Sequence, residues 1–216
     1  SYALHASGLI KDYRRGRAVD GVDLVVRPGE RVALLGANGA GKTTTLLMCL
    51  GLITPDAGSV EILGHRLPRD RVAAMRRVGF VAGYLPPTAH LRVIEYLRLY
   101  GRLYGMRRPD TAARAGLERF GIGHLAGALA TELSSGQKTL IGIVKAAIHR
   151  PALVVLDEPT ASLDPEVALR VRSSRWNGTA TRIRPSAMRL TRPSLTVARA
   201  LTAGMPMALS TDGSRR

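Results

Sequence analysis

The sequence predicts an α/β fold, and three observations carry that prediction. A short apolar strand over 32–35 runs into a glycine-rich loop and then a helix. A long stretch of helical patterning fills the middle of the chain, from about 90 to 150. An unbroken apolar run over 153–156 then ends in two carboxylates, Asp157 and Glu158. Unbroken apolar strands belong in parallel sheets covered on both faces, and strands alternating with helices define the α/β class.

Taken in order, the first 35 residues read as strands with turns. Val22 to Val26 is closed by the turn Arg27-Pro28-Gly29-Glu30, and Val32 to Leu35 follows. A short helix through Thr44, Leu46, Leu47 and Leu50 ends at Gly51 and Pro55. Val60 to Leu63 is a short strand closed by Gly64, and Val78 to Ala82 reads as a buried strand. Leu91, Ile94, Leu97 and Tyr100 recur at helical spacing, as do Leu140, Ile141, Val144, Ala147 and Ile148. The start of the chain is expected to form a mixed sheet. Past Arg172 the patterning fails, and only Leu195, Ala198 and Leu201 suggest a helix face.

Composition narrows the class. Of 216 residues 45% are hydrophobic, enough for a core, so wholesale disorder is excluded. No apolar run reaches the ~18 residues of a membrane span, and Ser1 to Leu9 lacks the pattern of a signal peptide. A single cysteine, Cys49, excludes an internal disulfide and a cysteine zinc site. The expectation is a soluble protein of a reducing compartment. The net charge of +16 suggests nucleic acid at first, but residues 172–216 hold nine arginines against one acid and supply half of it. Two unlike parts are expected: a domain over 1–171 and an Arg-rich tail over 172–216.

The chemistry concentrates in a few motifs. Gly36-Ala37-Asn38-Gly39-Ala40-Gly41-Lys42-Thr43 matches the phosphate-binding loop G-x-x-x-x-G-K-[ST], and Thr44 continues it. Glycines let the backbone N–H groups and the following helix N-terminus close on oxyanions. Lys42 is placed to reach the terminal phosphates of a nucleotide, and the Thr43 hydroxyl to hold Mg²⁺. Asp157, at the end of a buried strand, fits the other half of such a magnesium site, and Glu158 is suited to polarise an attacking water. Leu133-Ser134-Ser135-Gly136-Gln137 alone is an ordinary serine-capped helix start.

Together the glycine loop, this pentapeptide, whose Ser134 lies 92 positions after Lys42, and the apolar-Asp-Glu strand resemble the ATP-binding subunit of ABC transporters, over residues 2–171. The resemblance implies a P-loop NTPase core with an N-terminal β subdomain and a helical signature subdomain over about 85–150. It implies ATP and Mg²⁺ as ligands, with Tyr13 stacking on adenine. It makes Ser134, Ser135, Gly136 and Gln137 the signature that closes on ATP of an opposite subunit, in a homodimer or heterodimer. Ser135 stands where the family usually has a glycine. Asp164 corresponds to the dimer-facing loop. The signature variant resembles exporter-type members, implying a separate membrane permease as partner and a cytoplasmic, peripheral position on the inner face of the membrane.

Two family elements are absent. The glutamine expected after the 78–82 strand is replaced by Gly83-Tyr84-Leu85-Pro86-Pro87, and Gln137 is the only glutamine in the chain. A switch histidine is expected beyond Glu158, yet His5, His65, His90, His124 and His149 all precede it. One reading is a tail that departs from the domain's native continuation, through a shifted frame or gene remnant; the other is a basic tail for lipid or nucleic acid. Only Trp176 offers a stacking aromatic there, which weighs against nucleic acid. Three functions follow: an ATPase powering export, an ATP-binding but hydrolysis-impaired subunit, and a non-transport ATPase acting on nucleic acid.

Overall fold

A computed structural model describes residues 2–81, 90–157 and 195–200, the last by their backbone. The N-terminal sheet has the order β2-β1-β4-β5. It consists of β1 (Leu4–Tyr13), β2 (Gly16–Val26), β4 (Ala57–Ile62) and β5 (His65–Leu67). Every pairing in it is antiparallel, not mixed as the sequence suggested. For β1–β2 and β4–β5 the reason lies in the connections: Arg14-Arg15 and Leu63-Gly64 are two-residue links, and a strand returning through so short a link can only run antiparallel.

Residues alternate across this sheet with a period of two. Leu4, Ala6, Leu24, Val60 and Ile62 are buried on one face, against Met48, Cys49 and Leu50 at the end of α1 (Lys42–Cys49). That environment pushes the Cys49 thiol up to about 12, so it behaves as a small apolar side chain. β3 (Arg31–Gly36) feeds α1 through the glycine loop.

β6 (Val78–Val81) and β7 (Leu153–Leu156) pair in parallel, Val78 opposite Leu153 through Val81 opposite Leu156. Val78, Phe80, Leu153 and Val155 join the core beneath the N-terminal sheet. Val81 and Leu156 point into a second core built from helices. The two-faced covering expected of unbroken apolar strands is thus realised. Between the strands run α2 (Arg71–Met75), α3 (Val93–Leu103), α4 (Pro109–Arg119) and α5 (Ser135–Ala147).

In the second core, Leu97, Leu117, Ile141, Ile143 and Val144 are almost wholly enclosed. Each such side chain contributes roughly 1.5–3 kcal/mol by leaving water. α5 lies so close on β6 that a Cβ on Gly79 would collide with the Ala146 carbonyl oxygen. Glu95 accepts from the backbone N–H of Arg92 at 2.9 Å and so fixes the start of α3.

The helix face suggested for Leu195 and Ala198 is not found. Residues Leu195–Ala200 form β8, antiparallel to β3, with Leu195 opposite Gly36 and Ala200 opposite Arg31. The edge of β3 offers backbone partners along its length, and the β-branched Thr196 and Val197 favour extended backbone. Leu201 lies outside the described residues.

Candidate functional site

The site is organised by the loop from Gly36 to Thr43, which leaves the end of β3 and enters α1. Gly39 and Gly41 take φ of 81° and 84°, conformations that side chains with a Cβ rarely adopt. Gly41 is doubly constrained, because a Cβ there would collide with the Ala18 carbonyl oxygen of β2. Ala40 closes a turn by donating its N–H to Ala37 at 3.2 Å. The loop residues Gly36, Asn38 and Gly39 are exposed, as is Thr43 on the first turn of α1.

Lys42 curls back over this loop. Its Nζ donates to the carbonyl oxygens of Gly36 and Ala37, each at 2.9 Å. The ammonium therefore sits in the mouth of the loop, with its charge beside the N-terminus of α1. That combination of N–H groups, helix dipole and cation attracts phosphate. Thr44 follows Lys42 on the same turn and is half-buried.

The β1–β2 turn stands against the same loop through the Ala18–Gly41 contact. Tyr13 ends β1, half-exposed, with Lys11 Nζ 5.8 Å from its ring centroid. With Arg14, Arg15, Gly16, Arg17 and Ala18 it lines an open cavity of about 700 Å³. Arg17 is held by Asp12 at 2.9 Å and Asp20 at 2.8 Å, which stiffens the turn. Sequence reading missed that bracket and the role of Ala18. The charge spacing Asp12, Arg17, Asp20 was its only signal.

Asp157 follows directly on β7, half-buried, and its N–H donates to the Val81 carbonyl at 2.9 Å. The hydrogen bond extends the β6–β7 ladder by one residue and so fixes the backbone that carries the carboxylate. Thr43 and Asp157 offer a hydroxyl and a carboxylate, hard oxygen donors of the kind Mg²⁺ takes. Glu158 and Asp164 lie outside the described residues, as does the 83–87 segment. Among the described residues, no group of three or more His, Cys, Asp or Glu side chains could hold a metal ion by itself.

Ser134 caps α5. Its Oγ accepts from the Gln137 N–H at 3.2 Å, and Gln137 Oε1 accepts from the Ser134 N–H at 2.9 Å. Ser135 is exposed beside it, and its carbonyl accepts from Thr139 Oγ1 at 3.0 Å. Gly136 is half-buried on the first turn. α5 packs on β6, α3 and α4, so the pentapeptide stands on the helical part of the chain, whereas the phosphate loop belongs to β3 and α1.

A glycine loop between a strand and a helix, a lysine over its mouth and an aspartate at the end of a parallel apolar strand define a P-loop NTPase domain. The chain belongs to the ABC transporter family, whose pattern it matches over residues 19–161. It is 41% identical over 150 residues to the Nod factor export ATP-binding protein I of Cupriavidus metallidurans, covering 68% of this chain and 50% of that protein. It is 36% identical over 177 residues to the daunorubicin/doxorubicin resistance ATP-binding protein DrrA of Streptomyces peucetius, covering 81% and 52%. The chain thus spans about half the length of these curated relatives.

Solved structures agree. An ATP-binding subunit of an ABC transporter superposes with a TM-score of 0.71 at 31% identity, covering 78% of this chain and 71% of the other. A dimeric ATP-binding cassette in a post-hydrolysis state with ADP and Pi superposes at 0.70 and 25% identity, covering 78% and 79%. No helix among the described residues is long and apolar enough to cross a membrane.

Proposed function

We propose that this chain binds and hydrolyses ATP to power export of a substrate through a separate membrane permease. The observation that carries the reading is the Gly36–Thr43 loop, with Lys42 poised over its mouth and the Tyr13 turn against its flank. In this reading the loop N–H groups and Lys42 hold the phosphates, and Tyr13 stacks on adenine. Thr43 and Asp157 hold Mg²⁺, which neutralises phosphate charge when bound. Glu158 orients the attacking water. Two copies, or this chain and a similar one, close around ATP with Ser134 to Gln137 of one facing the phosphates of the other, and Asp164 lies at their joint. The permease holds the assembly on the inner face of the membrane. Export-protein relatives and the dimeric neighbour support these assignments.

A second reading, ATP binding with impaired turnover, rests on the missing glutamine after the 78–82 strand and the missing histidine beyond Glu158. Phosphate release by the full chain, against a Glu158→Gln control, separates the two. Release well above the control supports the ATPase; ATP binding with release no higher than the control leaves only the binding module. Retention of DNA or RNA in a salt-dependent manner, in place of a co-purifying permease, would move the assignment to a nucleic-acid ATPase.

In this reading the chain comprises a domain over 1–171 and a tail over 172–216 that departs from the domain's native continuation. The arginine-rich composition past Arg172 supports the division, and the family match ends at residue 161. Translating the coding DNA past codon 171 in the other two frames tests it. A frame encoding an apolar strand followed by histidine supports the division; its absence from both frames overturns it.

A further inference from the structure

One cluster of side chains stands apart from the nucleotide site. Tyr96, Tyr100 and Tyr104 descend one side of α3 at helical spacing and its following residue. Lys145, near the end of α5, and His149, in the turn that follows it, lie opposite them. Tyr96 and Tyr100 have ring centroids 4.9 Å apart, and Lys145 Nζ lies 5.1 Å from the Tyr100 centroid. His149 and Tyr104 stack face to face at 3.6 Å, with planes only 4° apart. Both His149 ring nitrogens are buried without a hydrogen-bond partner.

We propose that the Tyr104–His149 stack is an acid-released clasp, joining the end of α3 to the end of α5 where the helical part meets the β6–β7 pair. Its position gives it leverage. His149 lies two residues before Pro151 and thus just ahead of β7, and α5 rests against Gly79 of β6. The imidazole stays neutral in this place for a physical reason. Burial holds it below its ordinary value of 6.5, and the nearby Val78 backbone, which favours a ring proton without completing a hydrogen bond, offsets this only in part.

Among the described residues, the charged and titratable neighbours offer no carboxylate to stabilise an imidazolium. α5 supplies Lys145, itself held below the ordinary lysine range by burial, and Arg150 follows His149. α3 supplies the phenols Tyr100 and Tyr104, and Tyr104 is pushed up by burial and by Tyr100. β6 brings Val78, preceded by Arg77. On α3 and α4, Glu95 is committed to the Arg92 N–H and Asp110 to Arg98 at 2.7 Å, while Glu118 lies against Gly123.

The sign follows. The unfolded chain takes up the His149 proton near pH 6.5, and the folded chain takes it up only at lower pH. The clasp's contribution is therefore complete above about 6.5 and is lost as pH falls through the depressed value.

The test compares the full chain with His149→Phe, which keeps a flat ring against Tyr104 but cannot titrate. Between pH about 7.5 and about 5.5, the melting temperature of the unaltered chain should fall by roughly 2–4 °C more than that of the variant. Hydrogen-exchange protection at the end of α3, corrected for the slower intrinsic exchange in acid, should fall with pH only in the unaltered chain. Equal falls and equal exchange would overturn the proposal. If the phenylalanine variant does not fold, imidazole NMR on Tyr104→Leu decides: removing the stack should open the site and move the His149 midpoint up toward its ordinary value. An unmoved midpoint overturns the clasp.

Discussion

Gly41 occupies a place where no other residue fits: its φ is 84°, and the Ala18 carbonyl fills the space a Cβ would take. A Gly41→Ala change must strain the backbone and push β2 away from the loop at once. We expect it to cost about 1–3 kcal/mol in urea denaturation and to disrupt the loop that cradles phosphate. The glycine was legible in the sequence because the loop pattern names it. The neighbour that makes it obligatory was not, since Ala18 is an unremarkable residue whose role depends on a contact 23 positions away. Tyr13 illustrates the same boundary: the lone aromatic carries no chemical signal, and its cavity is shaped by the fold of the hairpin turn, residues 13–18.

At the scale of elements, legibility followed periodicity. β3 and β7 are unbroken apolar runs and form within a residue of the expected 32–35 and 153–156, while α3 and α5 repeat apolar residues at helical spacing and form where that spacing lies. The five-residue α2 and three-residue β5 are too short to show a period and left no trace. β8 was misread because three apolar residues spaced as a helix face carry less weight than an available strand edge on β3. The reciprocal cap at the start of α5 permits a direct check. Ser134→Ala removes the acceptor of the Gln137 N–H and should cost about 1 kcal/mol, read as a shift in the denaturation midpoint with an unchanged slope. Deeper in the same helix, Ile141→Ala should cost about 2–5 kcal/mol, because the residue is wholly enclosed in the second core.

For the molecule as a whole, two cores share the β6–β7 pair, one face turned to each. This arrangement joins the phosphate loop and the serine-capped helix through a single apolar layer. Asp157 follows that layer at the end of β7, and Ser134 caps a helix resting on its other face. The formal charge of +16, which by itself points to nucleic acid, resolves into a moderately basic P-loop domain and an arginine-rich segment past Arg172. Whole-chain composition conceals this uneven distribution of charge, which supports the proposed division.

In the proposed function the Gly36–Thr43 loop is an ATP site served by Lys42. Equilibrium binding of labelled ATP with Mg²⁺ to the full chain and to Lys42→Ala tests it most directly. Lys42 starts α1 beside a mostly exposed loop, and its ammonium bonds the Gly36 and Ala37 carbonyls of that loop, so the variant should melt close to the unaltered chain. Saturable binding by the unaltered chain, weakened at least about tenfold in the folded variant, is the predicted result. Equal affinity in both chains, or no binding by a folded unaltered chain, would contradict the account.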